Sequence, residues 1–169
     1  AKIVGDFQVE LKMGKPLFGS EEIPLSKKID PRNVVLNINN QTFSEGFCVN
    51  VGNPHIIFFG KDYFKHNLQV IGPKIENHNL FPEKTNVTFA NVIDKNNIKV
   101  SVWERGAGLT KACGTAACAT AVASFSKNLT EREVHIAFDQ GSLQIKYDSN
   151  KNIFMTGPVS KIKKMDISI

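Results

Sequence analysis

Between Ala112 and Lys127 the chain offers no polar face. Ala112, Cys113, Ala116, Ala117, Cys118, Ala119, Ala121, Val122, Ala123 and Phe125 surround any helix drawn through Cys113–Lys127. A surface helix confines its apolar residues to one stripe, so a helix that is apolar all round is buried on all sides. Its small side chains let surrounding backbone come close. The rest of the chain is therefore expected to wrap it.

The wrapping material reads as strand. Alternating runs rich in Val, Ile, Phe or Thr occur at Asp6–Met13, Asn33–Ile38, Phe43–Val51, Ile56–Phe59, Asn86–Ile93, Ile98–Trp103, Glu133–Phe138, Leu143–Tyr147 and Ile153–Thr156. Each is bounded by Gly, Asn, Asp or Pro, which punctuate strands. Val134–Phe138 and Leu143–Tyr147, apolar on alternate residues, predict a hairpin across Asp139-Gln-Gly141. A second helix, amphipathic and ended by Pro82, is expected over Leu68–His78, with Leu68, Val70, Ile71 and Ile75 on its apolar side. The predicted class is α+β, mainly β: a curled mixed sheet around a central buried helix.

The 169 residues make one domain, 1–169. That length buries a core without help from disulfides or metal. No apolar stretch approaches 18 residues, which argues against a membrane helix and a membrane partner. The net charge of +5 invites a nucleic-acid reading, but only Arg32, Arg105 and Arg132 among the 21 cations are arginine. The lysines are scattered, densest at Lys161, Lys163 and Lys164, and not interleaved with stacking aromatics. That pattern argues against a nucleic-acid partner. Cys48, Cys113 and Cys118 fit neither a disulfide framework nor a zinc spacing, so no metal is expected and a reducing, cytoplasmic compartment is.

Chemistry gathers where strand gives way to the buried helix, at Glu104-Arg-Gly-Ala-Gly-Leu-Thr-Lys-Ala-Cys-Gly-Thr115. A helix N-terminus carries partial positive charge and unpaired N–H groups, and holds carboxylate or phosphate well. The same field lowers a thiol's pKa, so Cys113 is placed to be reactive. The alternative is a small core cysteine, the reading preferred for Cys48 and Cys118. Gly52-Asn-Pro-His55 carries an amide and an imidazole, and Pro54 bars Asn53 from the α region. An ordinary turn with a structural histidine explains those residues equally. Asn86 leads into a strand as a turn residue would. Arg105 offers a planar fork for a carboxylate, or a surface salt bridge.

Gly52-Asn-Pro-His55, Phe81-Pro-Glu-Lys-Thr-Asn-Val87 and Glu104 to Thr115, in this order, closely resemble the diaminopimelate epimerase family. The resemblance implies a two-half α+β enzyme with one catalytic cysteine at the start of each half's central helix. Cys113 matches the cysteine of the second half. The first half's Cys-Gly-Asn triplet does not occur here, so the expectation is the C-terminal half alone, the N-terminal half being absent. The first residue is Ala1 and not Met, which predicts a cut start.

The resemblance also implies the roles at the site. Cys113, Glu104 and His55 would be catalytic: Cys113 moves the proton, Glu104 sets its affinity, and His55 tunes the missing cysteine. Gly114 and Thr115 would hold the α-carboxylate of diaminopimelate, with Glu104 facing the α-amino group. Arg105, Asn53 and Asn86 would hold the far amino-acid end. No cofactor is implied. With one cysteine the chain alone is expected not to interconvert the LL and meso forms. A homodimer is implied too, though Ile162-Lys-Lys164 occupies the stretch that often carries the dimer's aromatic, and Lys163–Ile169 is expected to lie against the absent half. Two alternatives remain: a related cofactor-independent racemase of the proline type, and a non-catalytic amino-acid-binding domain.

Overall fold

The computed structural model describes residues 1–160, so the expectations for Ile162–Lys164 and Lys163–Ile169 lie outside the described residues. Eleven strands and two α-helices occur among them. The strands are β1 (Lys2–Gly5), β2 (Gln8–Gly14), β3 (Val34–Ile38), β4 (Gln41–Asn50), β5 (Pro54–Phe59), β6 (Asn86–Asp94), β7 (Asn97–Glu104), β8 (Gly108–Thr110), β9 (Glu133–Phe138), β10 (Gly141–Tyr147) and β11 (Ile153–Pro158). Helix α1 is Leu68–Glu76, helix α2 is Gly114–Ser126, and a 3-10 helix spans Lys61–Lys65.

One sheet runs β1-β2-β11-β10-β9-β7-β6-β5-β4-β3, with β8 pairing β7 beside the path. It is mixed: β5 with β6 and β7 with β9 are parallel, and the other pairings are antiparallel. Helix α2 contacts β9, β10 and β11 toward one end of this order and β4, β5 and β6 toward the other. A sheet that reaches both sides of one helix has curled around it, as its unbroken run of buried residues from Ala116 to Ser124 requires. The β9–β10 hairpin forms with Ile136 opposite Leu143 and Val134 opposite Ile145.

Helix α1 lies on the other face of the sheet. In β4 and β5, Phe47, Val49 and Ile57 face the α2 core, while Cys48, Ile56 and Phe58 face the core that α1 covers. Strands covered on both faces lose the polar half of their alternation, and β5 is buried from Pro54 to Phe58.

The structure corrects α1 in two ways. Val70, expected on the apolar side, is exposed; Leu68, Ile71, Gly72, Ile75 and Glu76 are buried instead. Pro82 does not end the helix. Asn77 does so as the C-cap residue, its backbone N–H and its Nδ2 both donating to the Pro73 carbonyl, the latter at 2.7 Å. Strands β1 and β8 and the 3-10 helix were not expected; each is too short for a periodic signal.

Candidate active site

Parallel pairing places the starts of β5 and β6 at one end of the sheet, with His55 opposite Asn86. Strand β7 runs antiparallel to β6, with Trp103 opposite Val87, so Glu104 ends at the same place. Three segments distant in sequence thus meet. Gly52, at φ 110°, turns the chain into β5. The turn from β7 to β8 uses Gly106 and Gly108 at φ 75° and 89°, conformations that side chains with a Cβ rarely adopt.

Asn86 knits these segments together. It is 2% exposed; its Nδ2 donates to the Pro54 carbonyl at 2.8 Å, and its Oδ1 accepts the Arg105 backbone N–H at 2.9 Å. The Arg105 guanidinium donates from Nη1 to the Glu83 carbonyl at 3.0 Å. Among the described residues neither Glu104 nor Arg105 forms an ion pair, so the salt-bridge explanation of Arg105 is not met. Arg105 instead lines an open pocket of about 300 Å³ with Asn53, Gly52, Glu21, Glu22 and Glu83. A guanidinium, an amide and carboxylates around one hollow suit a ligand bearing both signs of charge.

His55 is fully buried, and its Nε2 lies 2.9 Å from Asn53 Oδ1. Its Nδ1 is buried without a hydrogen-bond partner among the described residues. Burial, aided by the Arg105 charge, pushes its pKa down to about 3, so the ring is neutral. The unfolded chain binds a proton at this histidine near pH 6.5, whereas the fold refuses it until about pH 3. Its contribution to stability is therefore complete above pH 6.5 and declines as pH falls toward 3, by up to about 1.4 kcal/mol per pH unit. Urea midpoints at intervals from pH 6.5 to 4.5 are expected to drop less steeply for His55→Gln than for the unaltered chain. Equal slopes would refute this.

Cys113 is the N-cap residue of α2, just outside the helical body, and is 7% exposed. Its Sγ lies 3.4 Å from Thr115 Oγ1, and the side chain makes no cap hydrogen bond to the first turn. The N–H groups of Gly114 and Thr115 belong to the first turn, which has no acceptors within the helix. Gly114 packs closely: a Cβ there would lie 3.0 Å from Met155 Sδ, so the flexible end of that side chain would have to shift. The net direction of the thiol reverses what the helix terminus alone predicts. Burial raises the Cys113 pKa; the Thr115 hydroxyl and Ala116 N–H lower it, and Glu104 raises it by hydrogen bond and by charge. Desolvation acts on the whole side chain, whereas the helix terminus offers only partial charge. Burial likewise raises Cys48, and raises Cys118 to about 12, so both are core thiols.

The named residues form one connected series. Asn53 touches His55, Asn86 carries Arg105, and adjoining Glu104 acts on Cys113 beside Gly114 and Thr115. Sequence reading missed Glu76 and Trp103. Glu76 is 4% exposed; its Oε2 accepts the Trp103 indole N–H at 2.7 Å and its Oε1 the Gly106 N–H at 3.0 Å. A signal existed, because Glu76 falls eight residues after Leu68, on the stripe that α1 buries. Among the described residues no cluster of His, Cys, Asp and Glu could hold a metal ion, and no helix is long and apolar enough to cross a membrane.

The family model described as diaminopimelate epimerase matches residues 47–162. A diaminopimelate epimerase of Pelagibacter ubique is 55% identical, covering 100% of this chain and 63% of its own length. One from the Wolbachia of Brugia malayi is 42% identical over 92% of this chain and 59% of its own. The chain thus spans about three fifths of these curated relatives. A solved hydroxyproline epimerase from Agrobacterium vitis superposes with a TM-score of 0.62 at 9% identity, over 89% of this chain and 50% of that one. A probable proline racemase from Agrobacterium radiobacter gives 0.60 at 10%, over the same shares. At such identity the likeness is one of fold.

Proposed function

The chain belongs to the diaminopimelate epimerase family, and we propose that it is the C-terminal half, 1–169, of an enzyme that interconverts LL- and meso-diaminopimelate. The N-terminal half would supply a second cysteine across the cleft. The observation that carries this reading is Cys113 at the cap of α2, with the Thr115 hydroxyl 3.4 Å from its sulfur and both the Ala116 N–H and Glu104 acting on its charge.

The α-proton of an amino acid is weakly acidic, so a carbanion needs donors aimed at the carboxylate as charge develops. The Gly114 and Thr115 N–H groups supply them at the positive end of α2. A thiolate on one face takes the proton from Cα, and a thiol on the other face gives one back, which inverts the centre. Burial keeps Cys113 protonated at rest, the state required of the donor. The Thr115 hydroxyl and Ala116 N–H then receive the thiolate that forms. Glu104 opposes that charge and so favours return of a proton to sulfur, while facing the substrate's α-amino group. Arg105 takes the distal carboxylate, with Asn53 beside it in the pocket, while buried Asn86, which does not line that pocket, acts by holding the Arg105 backbone. Neutral His55 tunes the opposing cysteine. The reaction needs no cofactor, and it would belong to lysine and peptidoglycan-precursor synthesis in the cytoplasm.

Calorimetric titration of the chain with diaminopimelate, with proline as control, tests the pocket. Adding an N-terminal half from a relative tests the chemistry. Binding of diaminopimelate and not proline, with epimerisation only after the halves combine, is expected. Epimerisation by the chain alone would overturn the half-enzyme reading. Preference for proline would favour a proline-type racemase.

A further inference from the structure

The turn carrying Glu104 and Arg105 is gripped from outside the site, by a carboxylate on α1. Glu76 has one oxygen on the Trp103 indole N–H, just before Glu104, and the other on the Gly106 N–H, just after Arg105. The two site residues are bracketed by one side chain. Charge-assisted hydrogen bonds of this kind are the strong ones, and Glu76 is 4% exposed, so water competes poorly for it. Lys84 Nζ, 3.9 Å from Oε1, balances its charge. One turn earlier Gly72 leaves room for the Trp103 ring, which sits where a Cβ would be.

We propose that Glu76 is a positioning residue, which holds Glu104 toward Cys113 and Arg105 toward the Asn53 pocket by pinning the backbone on either side of the pair. It touches neither substrate nor reacting atoms. Asn86 secures the Arg105 N–H from within the site; Glu76 secures the turn's outer side. Without Glu76 the turn keeps its fold through the pairing of β7 with β8, but Glu104 no longer keeps its distance to the thiol. The assignment rests on the roles given to Cys113 and Glu104, yet it can be tested on the thiol itself, without substrate. Failure of the epimerase reading and failure of this one are therefore distinguishable.

The test is the rate at which iodoacetamide alkylates Cys113 at pH 7.5, followed by mass spectrometry of its peptide. Cys48 and Cys118 are fully buried and serve as internal unreactive thiols. Because Glu104 disfavours the thiolate, Glu76→Ala is expected to raise the Cys113 rate about threefold, and Glu76→Gln to raise it less, since one amide oxygen replaces two acceptors. Trp103, the single tryptophan, reports separately: its emission is expected to shift to the red. In a Glu104→Gln background the substitutions at Glu76 are expected to leave the alkylation rate unchanged. An unchanged rate in Glu76→Ala with Glu104 present would overturn the proposal. So would a rise that persists in the Glu104→Gln background, because that would be general loosening. If Glu76→Ala fails to fold, Glu76→Gln, of nearly the same size, decides by the same two readings.

Discussion

Cys113→Ala is expected to abolish epimerisation of diaminopimelate once the opposing half is present, lowering the rate by at least about a thousandfold, within the range that a positioned acid or base supplies. On the proposed reading the thiol exchanges the proton on this side, and the Thr115 hydroxyl 3.4 Å from it acts by stabilising its charge. Cys113→Ser is expected to fare no better, because a hydroxyl holds its proton far more tightly than a thiol. Loss of the Cα proton to deuterated water, followed by NMR, checks the result for both isomers. Folding is expected to be nearly untouched: the cap residue makes no side-chain cap bond, so circular dichroism should overlay. Activity within tenfold of the unaltered protein would remove Cys113 from the mechanism and leave it a core cysteine.

Gly72→Ala is expected to destabilise the protein, although the same change in an ordinary helix stabilises by about 0.5–1 kcal/mol. The added Cβ would lie 2.6 Å from Trp103 Cγ, 2.7 Å from Cδ2 and 2.9 Å from Cβ. Those atoms are the root of the side chain and cannot swing aside as a flexible tip would. The indole is also tied to Glu76 at 2.7 Å, so relieving the clash strains or breaks a buried hydrogen bond. Overpacking of this kind costs about 1–3 kcal/mol, and a partly lost bond to a buried carboxylate about 1–3 kcal/mol more. A net loss of about 2 kcal/mol lowers the melting temperature by roughly 4–8 °C for a chain of this size. Thermal unfolding followed by circular dichroism measures it. A melting temperature equal to or above that of the unaltered chain would show that α1 can move away from Trp103 freely.

The parts of the fold legible in sequence are those with long periodic signals. Helix α2 was legible because its apolar residues close the whole circumference, and nothing but burial satisfies that. Strands β2 to β7 and β9 to β11 were legible from alternation and from the Gly, Asn and Pro that bound them. Strands β1 and β8 were not, being four and three residues long. Val70 was misplaced because hydrophobicity alone cannot say which side of a short helix meets a sheet; the sheet chose the side with Gly72 and Glu76. At the site, residue types and order, together with the family resemblance they carry, marked Cys113, Glu104, Arg105, Asn53, His55 and Asn86 as candidates. Their partners were not legible, since each comes from another part of the chain.

By itself the sequence determined that a wholly apolar helix must be enclosed by strand, and that a reactive group could stand at its start. Both follow from short-range properties: side-chain period, backbone preference and helix polarity. Only the tertiary structure decided that His55, Asn86 and Glu104 meet at one sheet end, because the parallel pairing of β5 with β6 brings their starts together. It also decided the protonation of Cys113. A helix terminus acts locally and can be read from spacing, but desolvation and the Glu104 charge are sums over everything nearby in space. The grip of Glu76 on the Glu104–Arg105 turn belongs to the same class, being a contact across 27 and 30 residues of chain.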